Sequence, residues 1–90
     1  MIHKSNIMTT GQNALSTTAE LVVAAKHSRI SVAIHNVSTD IAVYVGYDSG
    51  VTSSNGHKIH FLSTFEMQGY NGPVYMISAS GTPTVTFVEW

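Results

Sequence analysis

The sequence predicts an all-β domain: an antiparallel β-sandwich or jelly-roll of about seven short strands with an extended N-terminal arm. Three observations lead there. Residues 30–36 and 41–46 alternate apolar and polar side chains, the period-2 pattern of a half-buried strand. Clusters of Gly, Pro, Asn, Asp and Ser punctuate the chain at roughly the 8–12-residue spacing of sandwiches and barrels. No segment shows apolar residues at i, i+3, i+4 and i+7 beyond chance, as an amphipathic helix would.

Residues 1–18 form the arm. Ile2, Ile7, Met8 and Leu15 are scattered among Ser, Asn, Thr, Gly and Gln, with no sustained period. Such a segment builds no core of its own. Fixing each of its residues costs about 1–2 kcal/mol of backbone entropy, so ordering it requires outside contacts. These four side chains are therefore the expected anchors on a neighbouring subunit or a shell. Residues 19–90 are expected to form the sandwich domain.

The strands follow at residues 20–25, 30–36, 41–46, 58–62, 64–67, 74–79 and 84–89. Residues 15–25 contain Ala, Leu and Glu, which favour helix, but arm plus strand fits the pattern better. Ile30, Val32 and Ile34 are expected inward on one strand, and Ile41, Val43 and Val45 on the next. Residues 37–40 read as a turn, although Asn36, Val37 and Ser38 match a glycosylation sequon. The run 48–56 is long for a hairpin loop. Apart from Val51 it holds no core residue, so Asp48, Ser49, Val51, Thr52, Ser53, Ser54 and Asn55 are expected to make assembly contacts. Asn55 and Gly56 form a turn pair that tolerates positive φ. Trp90 is expected to dock rather than stand in water.

Composition narrows the function. Ninety residues suffice for one domain. Charged residues are 10% of the chain and the net charge is −1, while 11 Ser and 10 Thr supply the missing polarity. Lys4, Lys26, Arg29 and Lys58 are too few and too scattered to neutralise phosphates, which argues against nucleic acid. The longest apolar run, residues 21–25, is far short of the ~20 residues of a membrane span, and the start lacks the apolar core of a signal peptide. Without cysteine there is neither a disulfide framework nor thiolate chemistry, so oligomerisation is the expected source of added stability.

No catalytic constellation emerges. His57 and His60, three apart, would point to opposite faces of a regular strand and so would not share a metal ion. His3, His27 and His35 lie apart from them. Glu20, Asp40, Asp48, Glu66 and Glu89 are each alone in sequence, whereas a glycosidase needs two carboxylates across one cleft. There is no Gly-x-Ser-x-Gly elbow and no Gly-rich loop opening a helix. An enzyme is not expected, nor a metal or cofactor. Tyr44, Tyr47, Tyr70 and Tyr75 leave open a glycan-binding module, since tyrosine offers a flat apolar body with a polar tip.

Residues 43–56 read V-Y-V-G-Y-D-S-G-V-T-S-S-N-G, and residues 69–82 read G-Y-N-G-P-V-Y-M-I-S-A-S-G-T. With residues 30–36, these steps resemble a group of small virion proteins of tailed bacteriophages, over about residues 30–88. In that group a Tyr-Val-Gly-like strand end precedes a Val-Thr-Ser-x-Asn-Gly loop, and a Gly-x-x-Gly-x-Val-Tyr-x-Ile step and a Ser-Gly-Thr turn follow. The resemblance implies a β-sandwich, assembly on a virion and no catalysis. It points first to a capsid decoration (cement) protein that binds the major capsid protein and its own copies, with a trimer favoured. Such a protein is made in the bacterial host cytoplasm and ends in the virion. The alternative within the group is a head–tail, tail or fibre component. The arm lies outside the matched residues.

Overall fold

A computed structural model describes residues 8–90. The strands are β1 (Thr9–Ala14), β2 (Glu20–Val23), β3 (Ser31–Asn36), β4 (Val43–Gly46), β5 (His57–Ile59), β6 (Thr64–Gln68), β7 (Val74–Ser78) and β8 (Thr84–Glu89). They pair antiparallel in two four-stranded sheets, ordered β1-β8-β3-β6 and β2-β7-β4-β5. The chain crosses between sheets at every connection except β4 to β5. That order with those crossings is an eight-stranded jelly roll, which resolves the expected sandwich into one topology.

The seven expected strands all have counterparts. The eighth is β1, which lies inside the expected arm. It runs the full length of β8, from Thr9 opposite Glu89 to Ala14 opposite Thr84. Its residues carry no apolar alternation, so it is an edge strand held by backbone pairing rather than by burial. Gly11 makes room for it: a Cβ there would lie 2.6 Å from the Phe87 ring. Leu15 then enters the core fully buried, and its N–H donates to the Pro83 carbonyl at 2.8 Å. The boundary at residue 18 is thereby corrected, because the sandwich already includes residues 9–15.

The core fills the space between the sheets. Val32 and Ile34 of β3, Val85 of β8, Val43 and Val45 of β4, Val74 and Met76 of β7, and Ile59 of β5 all point into it. On β2 both Val22 and Val23 are buried, which strict alternation forbids; a register shift between Leu21 and Val23 turns consecutive side chains inward. Two inward expectations fail at strand ends. Ile30 is 54% exposed because β3 begins one residue later. Its backbone instead bridges Trp90 and Gly69. Ile41 is only half-buried, since it precedes β4.

Pairing fixes which connections share an end. Residues 15–19, 37–42, 60–63 and 79–83 gather at a first pole, and residues 24–30, 47–56, 69–73 and Trp90 at a second.

Candidate functional site

The loop between β4 and β5, residues 47–56, is organised by short polar side chains bonding to nearby backbone. The Gly50 N–H donates to Asp48 Oδ1 at 2.8 Å, and the Ser54 and Asn55 N–H groups donate to Thr52 Oγ1 at 3.1 and 3.2 Å. The Asn55 carboxamide ties the loop across itself, accepting from the Thr52 N–H at 2.7 Å and donating to the Gly50 carbonyl at 3.1 Å. This is the local chemistry that makes Asp, Asn, Ser and Thr turn formers. Asp48, Ser49, Thr52, Ser53, Ser54 and Asn55 are exposed, as expected of contact residues.

Val51 is the exception. It is buried, folded back as the loop's own small core and without surface to offer a partner. Glycines receive it: a Cβ on Gly46 would meet Val51 Cβ at 2.7 Å, and one on Gly56 would meet Val51 Cγ2 and Tyr44 Cβ at 2.8 Å. Gly56 is therefore required for close approach. The expected positive φ at Asn55 and Gly56 is not found; among the described residues it falls at Leu62, Gly69 and Gly81.

Beneath this loop a cleft of about 410 Å³ opens along the β5/β6 flank. Val45, Val51, Phe65 and Met67 give it apolar walls, and Tyr47, Asp48, Asn55 and His57 supply polar groups. It exists because β5 and β6 are edge strands of different sheets, so no backbone ladder closes the flank between them. The His57 and Phe65 rings stack across it, with centroids 4.3 Å apart.

The other expected site residues disperse. Ile2 and Ile7 lie outside the described residues. Met8 is exposed, whereas Leu15 is a core residue, which corrects its reading as an arm anchor. Trp90 is half-buried, and its backbone extends the β3/β8 ladder: its N–H donates to the Ser31 carbonyl at 3.0 Å and its carbonyl accepts from Ile30 at 2.7 Å. Tyr44 and Tyr75 lie on strands β4 and β7, while Tyr47 and Tyr70 pair in loops with centroids 5.6 Å apart. Burial pushes the Tyr70 phenol above its ordinary value, with Arg29 opposing and Tyr47 adding to the rise.

Each carboxylate has its own local partner: Glu20 with Asn13, Asp40 with Ser38, Asp48 with Gly50, Glu66 with Ser31 and Glu89 with Arg29. Among the described residues no three His, Cys, Asp or Glu side chains gather as a metal site. Asn36 is fully buried and its Oδ1 accepts the Ser38 N–H at 3.0 Å, so the sequon is a turn, as expected. Sequence reasoning missed Arg29 and Leu62. Arg29 was one scattered charge among four, and Leu62 carries no local signal for its backbone conformation.

No family model matches the chain, and no curated protein matches it in sequence. Among solved structures, a chain from Bacillus endospore appendages, described as a novel family of disulfide-linked pili, superposes with a TM-score of 0.57. The match covers 93% of this chain and 84% of that one at 13% identity. At that identity the likeness is one of fold alone.

Proposed function

We propose that the chain is a structural virion protein of a tailed bacteriophage, a capsid decoration protein that binds the outer shell and stabilises it through subunit contacts. It is made in the bacterial host cytoplasm and acts without cofactor or catalysis. The observation that carries this reading is where its exposed apolar side chains lie. Among the described residues, Met8, Ile30 and Tyr47 sit at the second pole and Val37, Phe61 and Leu62 at the first, leaving only Leu21 on a strand. Charged residues make up only 10% of the chain, and interface cores are depleted of charge. Large apolar side chains gathered at two ends of a rigid scaffold suit burial against protein neighbours.

Residues 1–8, with Ile2, Ile7 and Met8, are the proposed arm, and the exposed residues of loop 47–56 the second contact. Trimers at shell joints, each contact burying roughly 1,200–2,000 Å², suit this design. A tail or fibre subunit is the second reading, favoured by the pilus neighbour, which shows the same kind of fold in a filament. That neighbour is disulfide-linked, and these 90 residues hold no cysteine, so contacts here would be non-covalent.

The reading is tested by adding purified chain back to particles stripped of it and measuring bound chain and shell melting. Deleting residues 2–8 should weaken binding by several kcal/mol of lost apolar burial while the sandwich stays folded. Equal binding by the truncated chain counts against the arm. Failure of the parent to bind counts against the decoration role.

A further inference from the structure

The chain contains two Asn-Gly steps, Asn55-Gly56 and Asn71-Gly72. Such a step is chemically labile. The amide nitrogen of the following residue attacks the side-chain carboxamide carbon, and glycine, with no Cβ, leaves that approach open. Packing calls for glycine at both places. A Cβ on Gly56 would lie 2.8 Å from Tyr44 Cβ, and one on Gly72 would lie 2.6 Å from the Tyr70 hydroxyl oxygen. Side-chain bulk on the following residue is therefore not available to protect either step.

The fold treats the two differently. At the first, both reacting groups are engaged. The Gly56 N–H, whose nitrogen is the nucleophile, donates to the Thr52 carbonyl at 2.9 Å. The Asn55 carboxamide is held at both ends, Oδ1 accepting from the Thr52 N–H at 2.7 Å and Nδ2 donating to the Gly50 carbonyl at 3.1 Å. The Asn55 N–H is held as well, by Thr52 Oγ1 at 3.2 Å. Bringing the carboxamide carbon onto the Gly56 nitrogen means giving up these bonds.

At the second step the reacting groups are far less engaged. Asn71 is exposed, and its Nδ2 makes one long bond, 3.4 Å, to the His27 carbonyl. Among the described residues neither its Oδ1 nor the Gly72 N–H makes a hydrogen bond. The anchors here are main-chain carbonyls. That of Asn71 accepts from the Lys26 N–H at 2.9 Å, and that of Gly72 accepts from Arg29 Nη2. Neither oxygen takes part in ring closure, so this step should react more slowly than in an unfolded chain but faster than the one whose reacting groups are themselves bonded.

We propose that Asn71 is a site of spontaneous covalent modification in the folded protein, and that loop 47–56 keeps the same dipeptide unreactive at Asn55. The Gly72 nitrogen forms a bond to Asn71 Cγ and loses its proton, the Cγ–Nδ2 bond breaks, and ammonia leaves with that proton. Water then opens the cyclic imide at either carbonyl, leaving aspartate at position 71 or its isomer linked through the side chain. Water is the only co-reactant, and nothing is oxidised or reduced. One added negative charge takes the formal net charge from −1 to −2. The isomeric link lengthens the main chain by one atom just before Gly72, whose carbonyl Arg29 holds. Fresh and aged chains thus differ at the pole that carries loop 47–56.

The test incubates the full chain at mildly alkaline pH, folded and in denaturant, and follows both steps by peptide mass spectrometry. In the folded chain Asn71 should convert at least about tenfold faster than Asn55, the rate factor of one hydrogen bond that must open first. In denaturant both should speed up and the gap should close, because glycine follows each asparagine and the protection belongs to the loop. Comparable folded rates, faster conversion at Asn55, or a gap that persists in denaturant overturns the inference. So does an Asn71 that stays intact when folded while the denatured chain converts. Thr52→Ala removes the hydroxyl that holds the Ser54 and Asn55 N–H groups. It should speed conversion at Asn55 and leave Asn71 at its parent rate, which also checks that the fold survives. An unchanged Asn55 rate in that folded variant overturns the loop's part. None of these outcomes involves particles, so the virion reading stands or falls separately.

Discussion

Arg29 and Glu89 form a buried ion pair, Nη1 to Oε1 at 3.0 Å, between residues 60 positions apart in the chain. The Arg29 side chain is fully enclosed and directs three further donors to the backbone. It bonds the Ala24 carbonyl at 3.0 Å, the Tyr70 carbonyl at 3.1 Å and the Gly72 carbonyl. One guanidinium thus ties the β2–β3 and β6–β7 connections to the last strand at the second pole. Replacing Arg29 by Met strands a buried carboxylate and three carbonyls. It should cost roughly 3–5 kcal/mol in denaturant unfolding. Glu89→Gln keeps an acceptor and should cost less, about 1.5–3 kcal/mol.

The glycines around Val51 give a steric prediction. Gly56→Ala places a methyl against Val51 and Tyr44, and overpacking of this kind costs about 1–3 kcal/mol. Adding Val51→Ala to that variant should recover part of the loss, since it removes Val51 Cγ2, one of the atoms that clash. Thermal melts of the two single variants and the double variant measure the coupling.

Leu15 separates sandwich from arm. Leu15→Ala should cost about 2–5 kcal/mol, as for any fully buried leucine. Deleting residues 2–17 removes β1 as well and should abolish the cooperative melt, whereas deleting residues 2–7 should preserve it. Circular dichroism distinguishes the three.

Tyr70 sets a limit at alkaline pH. A phenol whose folded value is raised above the ordinary 10.0 holds its proton more tightly folded than unfolded. Its contribution is complete below the unfolded value and is lost as pH rises through the folded one. Tyr70→Phe also removes the 2.5 Å bond to the Pro73 carbonyl, worth about 0.5–1.5 kcal/mol at neutral pH. Stability of the variant should therefore fall less steeply than that of the parent above the ordinary tyrosine range. Unfolding measured along an alkaline pH series checks the slope.

Strands whose burial alternates were legible in the sequence, because one wet face and one dry face leave a period of 2. Val32 and Ile34 showed it, as did Val43 and Val45. Strand β1 was not legible: an edge strand reading TTGQNA is held by ladder bonds to β8, and backbone pairing leaves no apolar signature. The exposed loop 47–56 could be read from its turn formers, but the cleft beneath it could not. Its walls combine β4 and the loop with Phe65 and Met67 of the other sheet, a juxtaposition set by topology rather than by spacing. Leu62 was hidden for a related reason, since its backbone N–H donates to the carbonyl of Asn36, distant in sequence.

The copy number of this chain in purified virus particles tests the proposed role most directly. Quantitative mass spectrometry against the major shell protein should find the two in comparable numbers if the chain decorates the capsid. A count of only a few to tens of copies would move it to the tail or fibre reading, and its absence from washed, intact particles would contradict a structural virion role altogether.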